Sequence, residues 1–392
     1  MSSLTLARTI ARPVRHRTIT TTPPRRLDSL TSLRFFAALA VFAHHFTGYG
    51  GGTGFARSPT LFPYSMIGGH GVTFFFVLSG FLLTWVFKPA ERPGAFYWRR
   101  VGRIWPVHLL MLLPAFFLFY VRPHVPVDWP GLLSSVFLVQ GWFPGVTPNL
   151  PGNPVTWTLG VEVLFYALFP LLARVALRLR TKTLVVWTAA GLLGMWAVNW
   201  CAAAFCAPDT EGWIMRHPVV YLPQFLLGMT VALAIRRGWR FTAHPALPLA
   251  LLLAWIYGYY QMRARLPDGA VAQLDYAARP VMALLSGLVI VAFVQREVDG
   301  RPGMLGSRFL VRLGLWSYSF YLVHQCVIRL AVYTFGRGRD DDSALLPLLG
   351  LALVATGAAA ALYRFVEEPA ARWWNARTQA SSHRRASTNV RT

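Results

Sequence analysis

Residues 27–46 read LDSLTSLRFFAALAVFAHHF, an apolar stretch of the length that crosses a bilayer as one helix. Arg34 and His45 are eleven residues apart in this stretch, which is about three helical turns and about 16 Å of rise, so they share one helix face. His44 points about 80° away from that face. Charged groups are costly inside a bilayer, and two explanations stay open. The residues form a functional pair, or the arginine snorkels toward one interface while the histidines lie at the other.

The apolar character of this stretch extends through the chain. Hydrophobic residues make up 55% of the 392 residues and charged residues 14%, whereas a soluble domain carries about 25% charged residues. Ten stretches are long and apolar enough to span a bilayer. They lie near residues 29–48, 68–88, 104–121, 155–174, 183–204, 217–235, 246–262, 279–295, 313–335 and 343–365. The sequence therefore predicts an all-α fold, a polytopic membrane helix bundle of about ten transmembrane helices.

The segments outside these stretches complete the domain plan. Residues 1–26 and 376–392 are polar and rich in arginine, and we predict that they are disordered cytoplasmic tails on either side of one membrane domain, 27–375. The first tail is not a signal peptide, because no small-residue cleavage site follows the first apolar stretch. Residues 131–143 are apolar but too short to cross a bilayer, and we expect a re-entrant or interfacial segment there.

The basic residues predict how the chain is oriented. Its formal net charge is +23. With the N-terminus in the cytoplasm, the cytoplasmic segments hold 28 of the 38 Lys and Arg residues and the opposite segments hold eight. This bias follows the positive-inside rule and predicts a multi-pass protein of the plasma membrane, surrounded by lipid, with both termini cytoplasmic. A nucleic-acid partner is disfavoured, because the arginines cluster between apolar stretches instead of forming one basic surface.

Glu162 is the acidic residue that falls inside a predicted span. A buried carboxylate must find a partner or bind a proton. Arg34, His45, His324 and Arg329 are available partners within other predicted spans. A functional role and a structural pair between helices are equally supported at this point.

Three arginines, Arg99, Arg100 and Arg103, lie beside aromatic residues on a predicted cytoplasmic loop. Guanidinium groups match the geometry of phosphates, so the cluster is a candidate site for a donor that carries nucleotide phosphates. A topology signal that contacts lipid headgroups explains the same residues. By itself the second explanation is favoured, because every predicted cytoplasmic loop is basic.

Small residues and cysteines in the spans have structural explanations. Ser79 and Gly80, in the second span, favour close packing of helices. The three cysteines, Cys201, Cys206 and Cys326, have no metal or redox spacing. The spacings of His, Asp and Glu suggest no metal site either. We therefore expect neither a metal nor a bound cofactor.

Six short motifs follow one another between residues 27 and 370. They are Arg34 with His45, Phe75–Phe81, Arg99–Pro106, Trp157–Tyr166, Ser317–His324 and Glu367–Pro369. In this order they resemble the acyltransferase-3 group of integral membrane O-acyltransferases. The family commonly opens with Leu-Asp-Gly-Leu-Arg, whereas this chain has Leu-Asp-Ser-Leu followed by Thr31. Many members also carry a C-terminal esterase-like domain, and we expect a compact form without it.

The resemblance implies a reaction and a set of site residues. An acetyl or other short acyl group moves from a cytoplasmic acyl-CoA to a hydroxyl of a carbohydrate or glycosylated acceptor, such as an envelope glycan or a macrolide. His45 is the expected catalytic base, and Arg34 and Glu162 are expected to act beside it. The donor-binding residues implied are Arg99, Arg100 and Arg103. Positions expected to support the site or contact the acceptor are Ser79, Trp157, Tyr166, Ser317 and His324.

A transporter or flippase of a sugar or lipid-linked substrate is the alternative, because such proteins also have ten or so spans with charged groups inside them. Transporters often show inverted repeats or paired broken helices. Neither pattern is visible in this sequence, so the enzyme is favoured.

Overall fold

The structure is a computed structural model that describes residues 27–48, 54–146, 150–301 and 303–377. These residues form helices joined by loops and contain no β-strand. In chain order the helices are α1 (Asp28–Thr47), α2 (Phe62–Ser65), α3 (Gly71–Val86), α4 (Pro93–Phe116), α5 (Trp129–Val136), α6 (Trp157–Arg178), α7 (Thr181–Phe205), α8 (Pro208–Arg216), α9 (Leu222–Arg236), α10 (Ala246–Arg263), α11 (Asp268–Val298), α12 (Arg308–Phe335) and α13 (Leu345–Leu362). The predicted tails, apart from residues 376 and 377, lie outside the described residues.

The long helices coincide with the predicted spans. In the described ranges ten helices have fifteen residues or more, and each overlaps one of the ten apolar stretches. The all-α prediction is therefore confirmed. Seven of the ten, α3, α4, α6, α7, α9, α11 and α13, are long and apolar enough to cross a membrane by length and composition. The other three, α1, α10 and α12, contain more polar residues, and α1 and α12 bring histidine and arginine side chains into the bundle.

The short apolar segment that follows α4 does not form a long helix. It folds into α5 and one 3₁₀ turn at Gln140–Trp142. Asp128 caps α5, because its carboxylate accepts a hydrogen bond of 3.0 Å from the backbone N–H of Gly131. Eight residues of helix span about 12 Å, which is too short to cross a bilayer, as predicted. Trp129 and Leu133 are exposed on its surface.

Two helix crossings depend on glycine. At the crossing of α3 and α9, a Cβ atom on Gly80 would overlap the carbonyl oxygen of Phe225, and one on Gly228 would overlap that of Val77. At the crossing of α1 and α12, a Cβ atom on Gly314 would overlap the carbonyl oxygen of Thr31. Without a Cβ atom the backbones come into direct contact, which is how membrane helices pack most closely.

Two carboxylates fix α1 and the loop that follows it against the C-terminal half of the chain. The Glu297 carboxylate, at the end of α11, accepts hydrogen bonds from the backbone N–H groups of Asp28 (2.6 Å) and Ser29 (3.0 Å). These donors lack helical partners at a helix N-terminus, where a negative charge is also favourable. Beyond the other end of α1, the Asp342 carboxylate accepts a 2.6 Å hydrogen bond from the Ser58 hydroxyl. The start of α1 and the loop at Ser58 are thereby held.

The contact at Gly314 leads to a stability prediction. Gly314→Ala forces α12 away from α1, and overpacking of this kind costs about 1–3 kcal/mol. We expect a lower midpoint for heat-induced loss of monodisperse protein in detergent, measured by size-exclusion chromatography. Gly357→Ala is the control, because a Cβ atom at this position in α13 meets no other atom within 4 Å. Equal midpoints for the two variants would show that the crossing is not tightly packed.

Candidate active site

Three cavities lie among the helices that carry the predicted site residues. The first, here named the histidine cleft, has a volume of about 560 Å³, and its lining includes His45, His70, Trp157, Arg279 and Gln325. The second, the arginine pocket, has a volume of about 490 Å³, and its lining includes Lys88, Glu91, Phe96, Arg99 and Arg100. The third, the charged cavity, has a volume of about 50 Å³, and its lining includes Arg34, Arg103, Glu162, Ser317, Tyr318 and Tyr321.

The histidine cleft and the arginine pocket lie at opposite ends of the bundle. The cleft lies where α1 ends and α3 begins, and the pocket lies where α3 ends and α4 begins. The charged cavity adjoins the cleft, because Val72 and Tyr321 line both. Helix α4 connects it to the arginine pocket. Arg100 lines the pocket and Arg103 lines the charged cavity, and the two residues are one helical turn apart in α4. The three cavities therefore form a series from one end of the bundle toward the other.

A pair of histidines joins α1 to α12 at the cleft. His45 Nδ1 lies 2.9 Å from His324 Nε2, and the two rings are stacked with their centroids 5.1 Å apart. His324 Nδ1 lies 2.7 Å from the carbonyl oxygen of Tyr321. His324 is completely buried, and the rings of Phe42 and Phe320 lie near it. A charged imidazolium at the His324 position would be costly, which favours the neutral form of that ring.

The hydrogen-bond network assigns the proton on each ring. A carbonyl oxygen only accepts hydrogen bonds, so His324 Nδ1 carries the hydrogen that Tyr321 accepts. The Nε2 atom of a neutral His324 then accepts, and His45 Nδ1 must donate to it. His45 Nε2 is therefore left with its lone pair. Within the described part of the chain this atom makes no hydrogen bond, and His45 lines the cleft. The arrangement presents a proton acceptor to the cleft.

His44 has a different environment, as its helical phase suggests. Its Nδ1 atom lies 2.8 Å from the carbonyl oxygen of Met66, to which it donates. That bond ties α1 to the segment before α3, a structural role. His45, by contrast, is oriented by a second side chain, and its Nε2 atom makes no hydrogen bond among the described residues.

Glu162 lies in the charged cavity and not beside His45. Its carboxylate accepts a 3.1 Å hydrogen bond from the Tyr166 hydroxyl, one turn along α6. Arg34 and Arg103 line the same cavity. Neither guanidinium makes a hydrogen bond or a close ion pair among the residues described, although both interact with Glu162 and Glu367 through longer-range electrostatics. The cavity therefore holds two cations whose hydrogen-bonding groups are free for a ligand.

Glu367 is a member of this cluster that sequence reasoning missed. The sequence places it near the end of the last predicted span, in the closing motif, and we assigned it no role in the site. Its side chain is half-buried and accepts a 2.6 Å hydrogen bond from the Ser319 hydroxyl. The closing Glu-x-Pro motif was the sequence feature that could have identified Glu367 as part of the site. Its carboxylate helps to balance Arg34 and Arg103, which reduces the cost of burying them.

The three arginines of α4 do not form one cluster. Arg99 is ion-paired with Glu91, and Arg100 lies over the rings of Phe96 (5.3 Å) and Tyr166 (5.6 Å). Both line the arginine pocket. Arg103, three residues after Arg100, lines the charged cavity instead. The predicted donor site is thus divided between two neighbouring cavities.

The remaining predicted positions lie in different places. Trp157 lines the histidine cleft, and Ser317 lines the charged cavity, where its buried hydroxyl has no hydrogen-bond partner among the described residues. Ser79 is not part of the lining of any of these three cavities and lies beside the packing contact at Gly80. Among the described residues no three His, Cys, Asp or Glu side chains come together as ligands for a metal ion.

Fold and site together define a multi-pass helical membrane protein with a proton acceptor in one cavity and free guanidinium groups in the next. The model of the acyltransferase-3 family, described as an acyltransferase domain, matches residues 27–364. The chain belongs to this family, and it is an acyltransferase that transfers groups other than aminoacyl groups. Membership of this family supports the predicted enzyme over the alternative prediction of a transporter.

Curated relatives agree with this assignment. The chain is 35% identical to "Acyltransferase MdmB" of Streptomyces mycarofaciens, over 89% of this chain and 93% of the relative. It is 27% identical to "Exopolysaccharide production protein ExoZ" of Rhizobium meliloti, over 67% of this chain and 77% of the relative. It is 25% identical to "Peptidoglycan O-acetyltransferase OatA" of Listeria monocytogenes, over 47% of this chain and 30% of the relative. No solved structure matches significantly.

The histidine pair leads to a prediction about the acyl transfer reaction. In His324→Ala the His45 ring loses the acceptor that fixes its tautomer, and we expect kcat to fall by about 10- to 100-fold, the usual effect of losing a partner that orients a functional histidine. In His324→Gln the amide oxygen can accept from His45 Nδ1, so part of the rate should return. The measurement is steady-state transfer by purified protein. Equal rates for His324→Ala and the parent enzyme would refute this role.

Proposed function

We propose that the protein is an O-acyltransferase that moves an acetyl or other short acyl group from a cytoplasmic acyl-CoA to a hydroxyl of a carbohydrate or glycosylated acceptor, with His45 as the catalytic base. The observation that carries the proposal is the hydrogen-bonded chain from Tyr321 through His324 to His45, which leaves a lone pair on His45 Nε2 at the cleft. A neutral imidazole held in one tautomer suits proton abstraction from a hydroxyl.

The donor enters, on this proposal, at the arginine pocket. The phosphates of acyl-CoA are multiply charged, and guanidinium groups bind them through paired, charge-assisted hydrogen bonds. Arg99 and Arg100 line a pocket of about 490 Å³ at the end of the bundle where α1 begins. The positive-inside bias of the sequence supports a cytoplasmic location for that end, where acyl-CoA is found, with both chain termini on the same side of the plasma membrane.

The acyl arm of the donor then extends through the charged cavity toward His45. Arg34 lies about 16 Å along α1 from His45, which is too far for direct contact with the reacting atoms. Arg34 and Arg103 therefore serve to hold the arm and to compensate the charge of Glu162 and Glu367, and Glu162 with Tyr166 keeps the cavity polar. This assigns the arginine and the carboxylate to donor positioning.

Transfer itself requires one base. His45 Nε2 removes the proton from the acceptor hydroxyl as the hydroxyl oxygen attacks the thioester carbonyl carbon. The carbon–sulfur bond breaks, the new ester carbon–oxygen bond forms, and the CoA thiolate takes up the proton from His45. Atoms and charge balance without a metal or a redox step. Transient acylation of the imidazole is a second route, and it uses the same nitrogen.

Removal of the base tests the proposal. His45→Ala should fold, bind donor and lose transfer by about 10²–10⁴-fold in kcat, the usual contribution of a general base. The assay is release of CoA thiol on addition of a glycosylated acceptor. His124→Asn is the control, because His124 is exposed and far from α1 in the chain, and asparagine tolerates its positive φ of 57°. Full activity in His45→Ala would sink the assignment.

Donor binding is tested separately. Arg100→Gln and Arg103→Gln each remove a cation that the donor phosphates or arm contact, and charge-assisted hydrogen bonds contribute about 1.5–3 kcal/mol. We expect the KM for acyl-CoA to rise by about tenfold or more, with a smaller change in the KM for the acceptor. Arg174→Gln, at an exposed position near the end of α6, is the matched control. An unchanged donor KM in both cavity variants would contradict this placement of acyl-CoA.

A further inference from the structure

Arg329 is a charged residue inside a predicted span that the proposed reaction does not use. The sequence offered it as a partner for Glu162, but the cations around that carboxylate are Arg34, Arg100 and Arg103. Arg329 lies in α12, six residues before the helix ends, and its side chain is half-buried. A cation at that depth in a bilayer needs a partner or must extend to the membrane interface.

The side chain of Arg329 is directed toward the end of α12. Its Nε group donates a 2.9 Å hydrogen bond to the hydroxyl of Tyr333, which is one helical turn nearer to that end. The Tyr333 hydroxyl in turn donates a 3.0 Å hydrogen bond to the carbonyl oxygen of Leu118, in the π-helical turn Phe117–Val121 that follows α4. An arginine that points to a tyrosine near a helix end has the direction of a side chain that extends to the level of the lipid headgroups.

A second arginine reaches the same tyrosine ring. The guanidinium of Arg122, the residue after the π-helical turn, lies 5.4 Å from the ring centroid of Tyr333, and that of Arg329 lies 4.8 Å from it. All 15 Asp and Glu residues of the chain belong to the described ranges, and none of them forms a close ion pair with either arginine. Two cations thus contact one tyrosine without a carboxylate from the chain, and an anion beside them would reduce their mutual repulsion.

Exposed apolar side chains flank the two arginines. Leu330, next to Arg329 in α12, is exposed, and so are Val121, next to Arg122, and Phe117. In a chain that spans a membrane, such side chains contact the acyl chains of lipids. A ligand that meets both surfaces has an anionic group at one end and apolar chains at the other. Basic pockets between membrane helices bind anionic lipid headgroups in this way.

We infer that Arg122 and Arg329 form a binding site for the phosphodiester group of an anionic phospholipid, where α12 meets the turn after α4. Arg329 keeps its Nη1 and Nη2 groups for the phosphate oxygens, because neither makes a hydrogen bond within the described chain. The orientation predicted from the basic residues directs this end of the bundle away from the cytoplasm, so the lipid belongs to the outer leaflet. The site is separate from His45 and goes beyond the transfer reaction.

Lipid binding to the purified enzyme tests this site. Dioleoylphosphatidylglycerol, dioleoylphosphatidylcholine and inorganic phosphate are titrated separately into the protein in a neutral detergent, and native mass spectrometry measures the bound fraction. We expect a single phosphatidylglycerol to bind more tightly than phosphatidylcholine, whose choline group cancels the negative charge. Arg122→Gln and Arg329→Gln should each weaken phosphatidylglycerol binding by about tenfold, the effect of losing a charge-assisted hydrogen bond.

Further variants separate a specific site from general surface charge. Arg337→Gln removes a positive charge from an exposed residue just beyond α12 and should leave the affinity unchanged. Arg122→Gln keeps the test valid if Arg329→Gln fails to fold, because the Arg122 side chain makes no hydrogen bond among the described residues. Unchanged phosphatidylglycerol affinity in the folded variants, or an equal loss in Arg337→Gln, would overturn the site. Equally tight binding of phosphatidylcholine or of inorganic phosphate would overturn an anionic phospholipid as its ligand.

Discussion

The hydrogen bond between His45 and His324 depends on a direct backbone contact between α1 and α12, two helices whose histidines are 279 residues apart in sequence. Gly314 permits that contact, because any side chain there would meet the carbonyl oxygen of Thr31. Glu297 holds the beginning of α1. A hydrogen bond is sensitive to shifts of a few tenths of an ångström, so the orientation of the His45 ring is set by helix packing several turns away.

The same low-polarity surroundings explain why the charged residues are grouped. Isolated charges inside a bilayer are unfavourable, and their cost falls when opposite charges share a cavity. Arg34 and Arg103 share one with Glu162, and Glu367 lies close enough to interact with them. The histidine pair is kept apart from these carboxylates. On the proposed mechanism this separation matters chemically, because a nearby carboxylate would favour the charged imidazolium over the neutral base.

Sequence reasoning located the helices and the helical faces, because both follow from local spacing. It placed Arg34 and His45 on one side of α1, and α1 has the predicted bounds to within one residue. It did not predict the hydrogen bond between His45 and His324, because that contact depends on which helices cross and at which level along their axes. For Glu162 the sequence offered partners on other helices and left its role open. Its hydrogen bond comes from Tyr166, a local i, i+4 neighbour that was not considered as a partner.

The small volume of the charged cavity limits how much water can reach a bound thioester and hydrolyse it. At about 50 Å³ it has room for a few water molecules, since one water needs about 10–15 Å³ of such space. The cavities on either side are about ten times larger. On the proposed mechanism, a donor arm that fills the narrow part displaces that water and leaves the reactive carbonyl facing the cleft. The bound acceptor then limits hydrolysis of the thioester. It covers His45 on the cleft side, and its hydroxyl is the nucleophile nearest to the base.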